Sequence, residues 1–202
     1  MKGKILSRTT PVKYEAGRYG EQAYDIYSWL AKEQGKIFID GVINTEVAST
    51  IIAQVYALKH EAVKEIEFVI NSPGGIVYDC NTILDAMELA KRAKITVKTT
   101  CIGKAMSCGA LIFLNGSHGY RTITPRSYVM MHDISYGQYG SHIEMENELE
   151  HVTKLKNALK DHVILNTNIT RENINDYFDR NRYIDAYEAV DLGIADSVIE
   201  GI

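Results

Sequence analysis

The sequence predicts an α/β domain built on a parallel sheet, and three observations carry that expectation. Short apolar runs bounded by turn residues alternate with longer stretches whose apolar residues recur every three or four positions. Strands alternating with helices in this way imply a parallel sheet covered by helices. The 202 residues suit one hydrophobic core, and two domains would be cramped. No repeat or low-complexity linker interrupts the chain, and its prolines are confined to positions 11, 73 and 125.

Taken in order, residues 1 to about 20 are polar and glycine-bearing and read as an irregular arm. QAYDIYSWLAKEQ (22–34) has helical spacing, and KIFIDGVI (36–43) reads as a strand. TEVASTIIAQVYALKHE (45–61) opens on Thr45, a candidate N-cap, and continues with apolar residues at helical spacing. IEFVINS (66–72) is a second strand, stopped by Pro73-Gly74-Gly75. A helix follows over 79–92, then the strand ITVKTTCIG (95–103). The apolar run after Ser107 reads as a helix closed by Asn115-Gly116, a stop signal. YRTITPRSYVMMHDI (120–134) supplies two short strands about Pro125.

The segment 142–165 is a long helix. Leu149, Val152, Leu155, Leu159 and Val163 form one apolar stripe along it. Glu144, Glu146, Glu148 and Glu150 precede Lys154, Lys156 and Lys160, a polarity that complements the helix dipole. The stripe can pack on its own domain or face another subunit; spacing alone leaves both open.

Composition narrows the function. The chain is 46% hydrophobic and 24% charged, ordinary for a globular protein. A net charge of −4 and a pI near 5.9 argue against nucleic-acid binding and against a basic membrane-surface protein. No apolar run is long enough to span a bilayer, and the first residues carry no signal-peptide block. Cys80, Cys101 and Cys108 make an odd count without metal-like spacing, which points to a reduced, cytoplasmic setting. The histidines, at 60, 118, 132, 142, 151 and 162, show no paired ligand spacing, so neither a metal nor a cofactor is expected.

Three segments carry candidate chemistry, and each has a plain structural reading beside it. INSPGG (70–75) can be a tight strand–helix turn, or it can expose a glycine N–H to a developing oxyanion. In GKAMSCGALIFLNGS (103–117), Ser107 can be an N-cap or packing residue, or a nucleophile beside the N–H of Cys108. Ala105 departs from the first glycine of G-x-S-x-G, which weakens an α/β-hydrolase reading. Cys108 is a rival nucleophile, though a buried structural thiol is its commoner role. His132, in an apolar strand-like run, can be a satisfied core histidine or a general base at a strand end.

In combination these segments resemble the ClpP family, the proteolytic subunits of the Clp protease, which are serine peptidases on a crotonase-like fold. The resemblance covers nearly the whole chain, through GEQAYDIYSWL, INSPGG, CIGKAMSCGA, VMMHD and RNRYIDAYEAVDLGIADSVI, in order and at compatible spacing. It implies stacked β-sheets with surrounding helices and a protruding long helix. It also implies a single domain over 1–202, with an axial arm (1–20) and a head (21–202) whose handle helix spans about 142–165. By position it makes Ser107 the nucleophile, His132 the general base and Asn181 the third triad member. Gly75 and Cys108 become the oxyanion-hole donors, and Ile76 and Val77 line an extended substrate strand. Family members stack two heptameric rings around a chamber and receive unfolded polypeptide from a ring-shaped AAA+ ATPase. The implied partners are therefore polypeptide substrates, further copies of the chain, and an unfoldase ring or a second ClpP-like subunit. Asp179 and Arg180 match an acidic–Arg pair that links ring to ring; the alternative is a surface ion pair, worth little.

Three departures from the family pattern stand out. Asn181 stands where the family usually has Asp, so it can orient the imidazole without supplying full negative charge. Asp179 and Asp185 are nearby carboxylates at non-matching positions. Glu67, Thr122 and Thr124 fall where a hydrophobic ATPase-docking pocket is usual, and polar walls weaken apolar docking. Cys108 replaces a usual Met after the nucleophile. The sequence thus predicts a serine endopeptidase subunit with an Asn-backed triad. The competing readings are a weakly active or silent ring subunit that regulates an active homologue, and a crotonase-type acyl-CoA enzyme. Ser107 and His132 at family spacing disfavour the last.

Overall fold

The computed structural model describes residues 12–17, 20–137 and 139–201. The chain opens with β1 (Val12–Gly17), β2 (Gly20–Asp25), α1 (Ile26–Gln34), β3 (Lys36–Ile43) and α2 (Thr45–His60). It continues with β4 (Glu65–Gly75), α3 (Val77–Arg92), β5 (Thr96–Met106) and α4 (Cys108–Leu114). Then come β6 (Arg121–Ile123), β7 (Tyr128–Met131) and α5 (His142–Asn166). The last elements are α6 (Ile174–Phe178), β8 (Arg182–Asp185), α7 (Ala186–Asp191) and β9 (Ser197–Val198). This is the mixed α/β fold that the sequence predicts.

Three local expectations are corrected. Within the arm read as irregular over 1–20, Val12–Gly17 form a strand paired antiparallel with β2, which opens at Gly20; residues 1–11, 18 and 19 lie outside those described. That pairing claims residues 22–25, so the helix expected from 22 begins at Ile26. The Asp25 carboxylate caps it, accepting from the N–H groups of Tyr27 and Ser28. Likewise Asn44 caps α2 through the Val47 N–H, while the Thr45 hydroxyl donates to Asp79 at 3.2 Å.

The main sheet runs β3-β4-β5-β6-β9, all parallel. It divides along β5: Thr99–Cys101 pairs with β6, and Lys104–Met106 pairs with β7. β8 closes the branch antiparallel to β7. β4 alternates buried and outward residues, so Ile66, Phe68, Ile70, Ser72 and Gly74 face inward. These apolar residues meet Ile83 and Met87 of α3 and Ile112 and Phe113 of α4 in the core. Each such side chain, fully removed from water, contributes roughly 1.5–3 kcal/mol.

Helix α5 starts on a capping box in which Ser141 and Glu144 satisfy each other's backbone N–H groups. The two readings of its stripe divide along its length. Val152, Leu159 and Val163 are buried on this chain's core, whereas Ile143, Met145 and Leu149 are exposed.

One buried ion pair locks the far edge of the sheet. Arg121, 3% exposed, reaches Asp196 with two side-chain N–H groups, at 2.6 and 3.1 Å. It also donates to the carbonyl of Asn166 at 2.6 Å, fastening the end of α5 to β6. Burial alone would raise the Asp196 pKa, but the Arg121 hydrogen bonds outweigh it and hold the carboxyl below its ordinary value. A folded-state pKa below the unfolded one gives stability that is present at neutral pH and lost as pH falls through the carboxylate range. Arg121→Met leaves a half-buried carboxylate unpaired. It is expected to cost about 3–5 kcal/mol near neutral pH by urea unfolding. The gap to wild type should narrow as the pH approaches about 3, where wild type loses the same interaction.

Candidate active site

The site is assembled where β4, β5 and β7 end side by side. At the end of β4 the Pro-Gly-Gly stretch is not the free turn its composition suggests but continues the strand, with Gly74 and Gly75 in register with Val42 and Ile43. Two features hold it extended. The buried Ser72 hydroxyl donates to the Gly41 carbonyl at 2.6 Å and accepts from the Gly74 N–H at 3.0 Å. Gly75 lies so close to β3 that a Cβ there would fall 2.0 Å from the Ile43 carbonyl oxygen, so only glycine fits. The next N–H, of Ile76, donates to that carbonyl at 3.0 Å. Backbone groups alternate sides along a strand, so the N–H of Gly75 faces away from β3. Its carbonyl does too, and accepts from the Cys108 thiol at 3.4 Å.

At the end of β5, Ser107 takes φ 53 and ψ −123, a positive φ that a residue with a Cβ rarely adopts. It stands at the cap of α4 yet makes no side-chain capping bond, so the N-cap reading of its hydroxyl is not realised. Its backbone N–H donates instead to the Met130 carbonyl of β7 at 2.7 Å. Gly74 fits under this turn because it has no side chain: a Cβ there would be 2.7 Å from Ser107 Cβ. Cys108 is the first residue of α4, where the backbone N–H has no partner one turn back.

Ser107, His132, Gly75, Cys108 and Val77 all line one cavity of about 110 Å³. Leu111, Met131, Ile134, Leu159 and Phe178 complete its apolar wall. His132 follows directly on β7 and is half-buried. Ile76, by contrast, is half exposed at the rim and is not part of the lining.

The position expected to hold a third triad member lies just beyond the β7–β8 ladder. Its last pair sets Met131 against Arg182, and the same antiparallel register carried one residue further sets His132 across from Asn181. Asn181 is exposed and does not line the cavity. Among the described residues, no hydrogen bond joins Ser107 to His132 or His132 to Asn181. Nearby carboxylates have other work. Asp185 caps α7 and pairs with Tyr128, away from the histidine. Asp133 bonds to Lys156 of α5; burial pulls its pKa upward, and the lysine outweighs that and lowers it. Asp179 and Arg180 are both exposed.

The positions expected at a docking surface form a polar cluster. Glu67 accepts from Thr100 at 2.7 Å, Thr100 meets Thr122 at 3.0 Å, and Lys36 lies 3.5 Å from Glu67. Thr124 turns aside to Ser127.

A family model for Clp protease matches residues 18–201. The chain belongs to the Clp protease family. Members of the Clp protease family are serine peptidases that generally form oligomeric rings and work with unfoldases. Membership rests on nearly the full length of the head and so agrees with the resemblance carried by the short motifs. The sequence did not reveal three supports of the site: the Ser72 clamp, the Asp133–Lys156 contact and the Cys80 thiol behind Cys108. Ser72 was visible as part of the motif, but its hydroxyl matters only because β3 passes within reach. No helix among the described residues is long and apolar enough to cross a membrane.

Backbone strain at Ser107 gives a direct test of its status. A non-glycine residue held there costs about 1–3 kcal/mol. Ser107→Gly is therefore expected to unfold in urea at the same free energy as wild type or up to about 1 kcal/mol higher. A loss greater than about 1 kcal/mol would mean that the serine is there for packing.

Proposed function

We propose that this chain is a serine endopeptidase subunit that cleaves unfolded polypeptides or peptides inside an oligomeric chamber, through an acyl-enzyme. The observation that carries the reading is a strained, uncapped Ser107 sharing one cavity with His132 and with the two backbone groups best placed to receive an oxyanion. Ser107 Oγ attacks the scissile carbonyl while His132 accepts its proton. Negative charge developing on the carbonyl oxygen is received by the N–H groups of Gly75 and Cys108. His132 then protonates the departing amine, and water, activated by the same imidazole, releases the acyl group. Ile76 and Val77 guide the substrate as an extended strand beside the end of β4. No step calls for a metal or a cofactor.

Asn181 acts as the orienting group, its amide oxygen accepting the second imidazole N–H once the register brings the two together. It fixes the tautomer but supplies no full charge to the imidazolium, so turnover is below that of an Asp-backed site. In the trypsin triad, Asp to Asn costs about 10⁴ in turnover because the tautomer is wrong. An amide oriented oxygen-first loses less. Two stacked heptameric rings are the assembly in this reading. The exposed Ile143, Met145 and Leu149 of the handle, and Asp179 with Arg180 beside Asn181, supply the ring-to-ring surface. The axial arm is the segment over 1–20, and the setting is the cytoplasm. The polar cluster of Glu67, Thr100 and Thr122 favours a second reading, a weakly active or silent ring subunit that regulates an active homologue, because an apolar docking loop gains little there.

Fluorophosphonate labelling and peptide hydrolysis separate these readings. Wild type should label and lose all labelling in Ser107→Ala, whereas no labelling of wild type supports the silent subunit. Asn181→Asp should raise turnover at least about ten-fold, and Asn181→Ala should lower it. If the Asp variant is no faster and the Ala variant loses nothing, Asn181 is not the third member.

A further inference from the structure

Two thiols stand directly behind the oxyanion side of the cavity, and the peptidase chemistry uses neither. Cys80, on the first turns of α3, is fully buried, and its thiol lies 3.6 Å from the Cys108 carbonyl oxygen. Cys108 sends its own thiol to the Gly75 carbonyl at 3.4 Å and lines the cavity. The neighbouring Cys80 lowers the pKa of Cys108, while Cys108 and burial push Cys80 well up. The pair thus has an internal polarity, with the cavity-facing sulfur the better nucleophile and the buried one its proton-holding neighbour. Cys101 contrasts with both, being buried away from the cavity and pushed up to about 12 by burial.

We propose that Cys80 and Cys108 form a redox-modifiable dithiol, a site at which a small disulfide oxidises the pair and thereby disables the oxyanion side of the cavity. The Cys108 thiolate attacks one sulfur of the reagent. That S–S bond breaks, the departing thiolate takes a proton from solvent, and a mixed disulfide remains on Cys108. The Cys80 thiol then loses its proton to solvent and attacks Cys108 Sγ, expelling the second small thiol. Two protein thiols are oxidised and one small disulfide is reduced to two thiols. Closing this bond pulls Cys108 Sγ off the Gly75 carbonyl and ties it to α3. Gly75 and Cys108 are the two backbone donors to the oxyanion, so both ends of that arrangement lose their cross-tie together. The switching half of this inference rests on the Ser107 reading above; the dithiol half does not.

The test treats wild type, Cys80→Ser and Cys101→Ser with hydroxyethyl disulfide, then splits each sample for peptide mapping by mass spectrometry and for fluorophosphonate labelling. Wild type and Cys101→Ser should each yield an intramolecular Cys80–Cys108 crosslink. Their labelling should fall by about 100-fold relative to the reduced sample of the same variant, and dithiothreitol should restore it. Cys80→Ser should stop at a mixed disulfide on Cys108 with no crosslink. Absence of the crosslink in wild type, or a crosslink through Cys101, overturns the dithiol. A crosslink that leaves labelling unchanged overturns the switch. A crosslink with no labelling even in the reduced sample overturns the Ser107 reading, and the switch with it, while supporting the dithiol.

Discussion

The hydrogen bond from the Ser107 N–H to the Met130 carbonyl, 2.7 Å long, is the contact on which the site depends. It fastens the turn at the end of β5 to the strand that leads into His132, so one backbone bond sets the nucleophile candidate relative to its base candidate. Without it the positive φ of Ser107 would have no reason to persist. Residues held in such conformations relax unless the surrounding structure over-determines them. Here the surroundings do so from two sides. β7 draws the N–H outward, and the side-chain-free Gly74 leaves room beneath Ser107 Cβ. The parallel pairing of β5 with both β4 and β7 is what brings the three strand ends together.

Much of this was legible in the sequence because its signals are local. The helices and strands of the core announce themselves by periodicity, and Gly75, Ser107 and His132 lie in short motifs at the ends of apolar runs. What escaped was set by contacts between distant segments. Pro73-Gly74-Gly75 has turn composition, yet the Ser72 hydroxyl and the close passage of β3 keep it extended. The β1–β2 hairpin carries weak alternation, and its second strand overlaps a stretch with helical spacing, so only pairing decides between them. The β7–β8 register ends on Met131 and Arg182 and, carried one residue further, sets Asn181 across from His132, a relation that no spacing within either strand encodes. Family resemblance supplied that position, and the ladder supplies the physical route to it.

The long helix shows how a single apolar stripe can serve two purposes. Its second half is consumed by the chain's own core, with Leu159 walling the cavity. Its first half leaves Ile143, Met145 and Leu149 in water, an unfavourable exposure for an isolated chain and an ordinary one for a ring-forming protein. Lys156 joins the two roles, since it holds Asp133, the neighbour of His132, from the same helix. A shift of α5 would therefore be felt next to His132.

The division of labour within the site explains why its departures from the family pattern fall where they do. The proposed oxyanion donors and the proposed nucleophile are held by backbone: a glycine that admits no Cβ, a strained turn and the first N–H of a helix. Exchanging Met for Cys at position 108 leaves such a donor in place, because the amide does the work whatever side chain hangs from it. Asn181, the proposed third group, is different in kind. Its proposed role would run only through its side chain, and it sits on the exposed lead-in to a four-residue strand, two residues from Asp179 and one from Arg180. Substitution there changes charge and tautomer control without disturbing the fold. In the proposed triad, a change at Asn181 would therefore alter how His132 is held while leaving the backbone at Gly75, Ser107 and Cys108 intact.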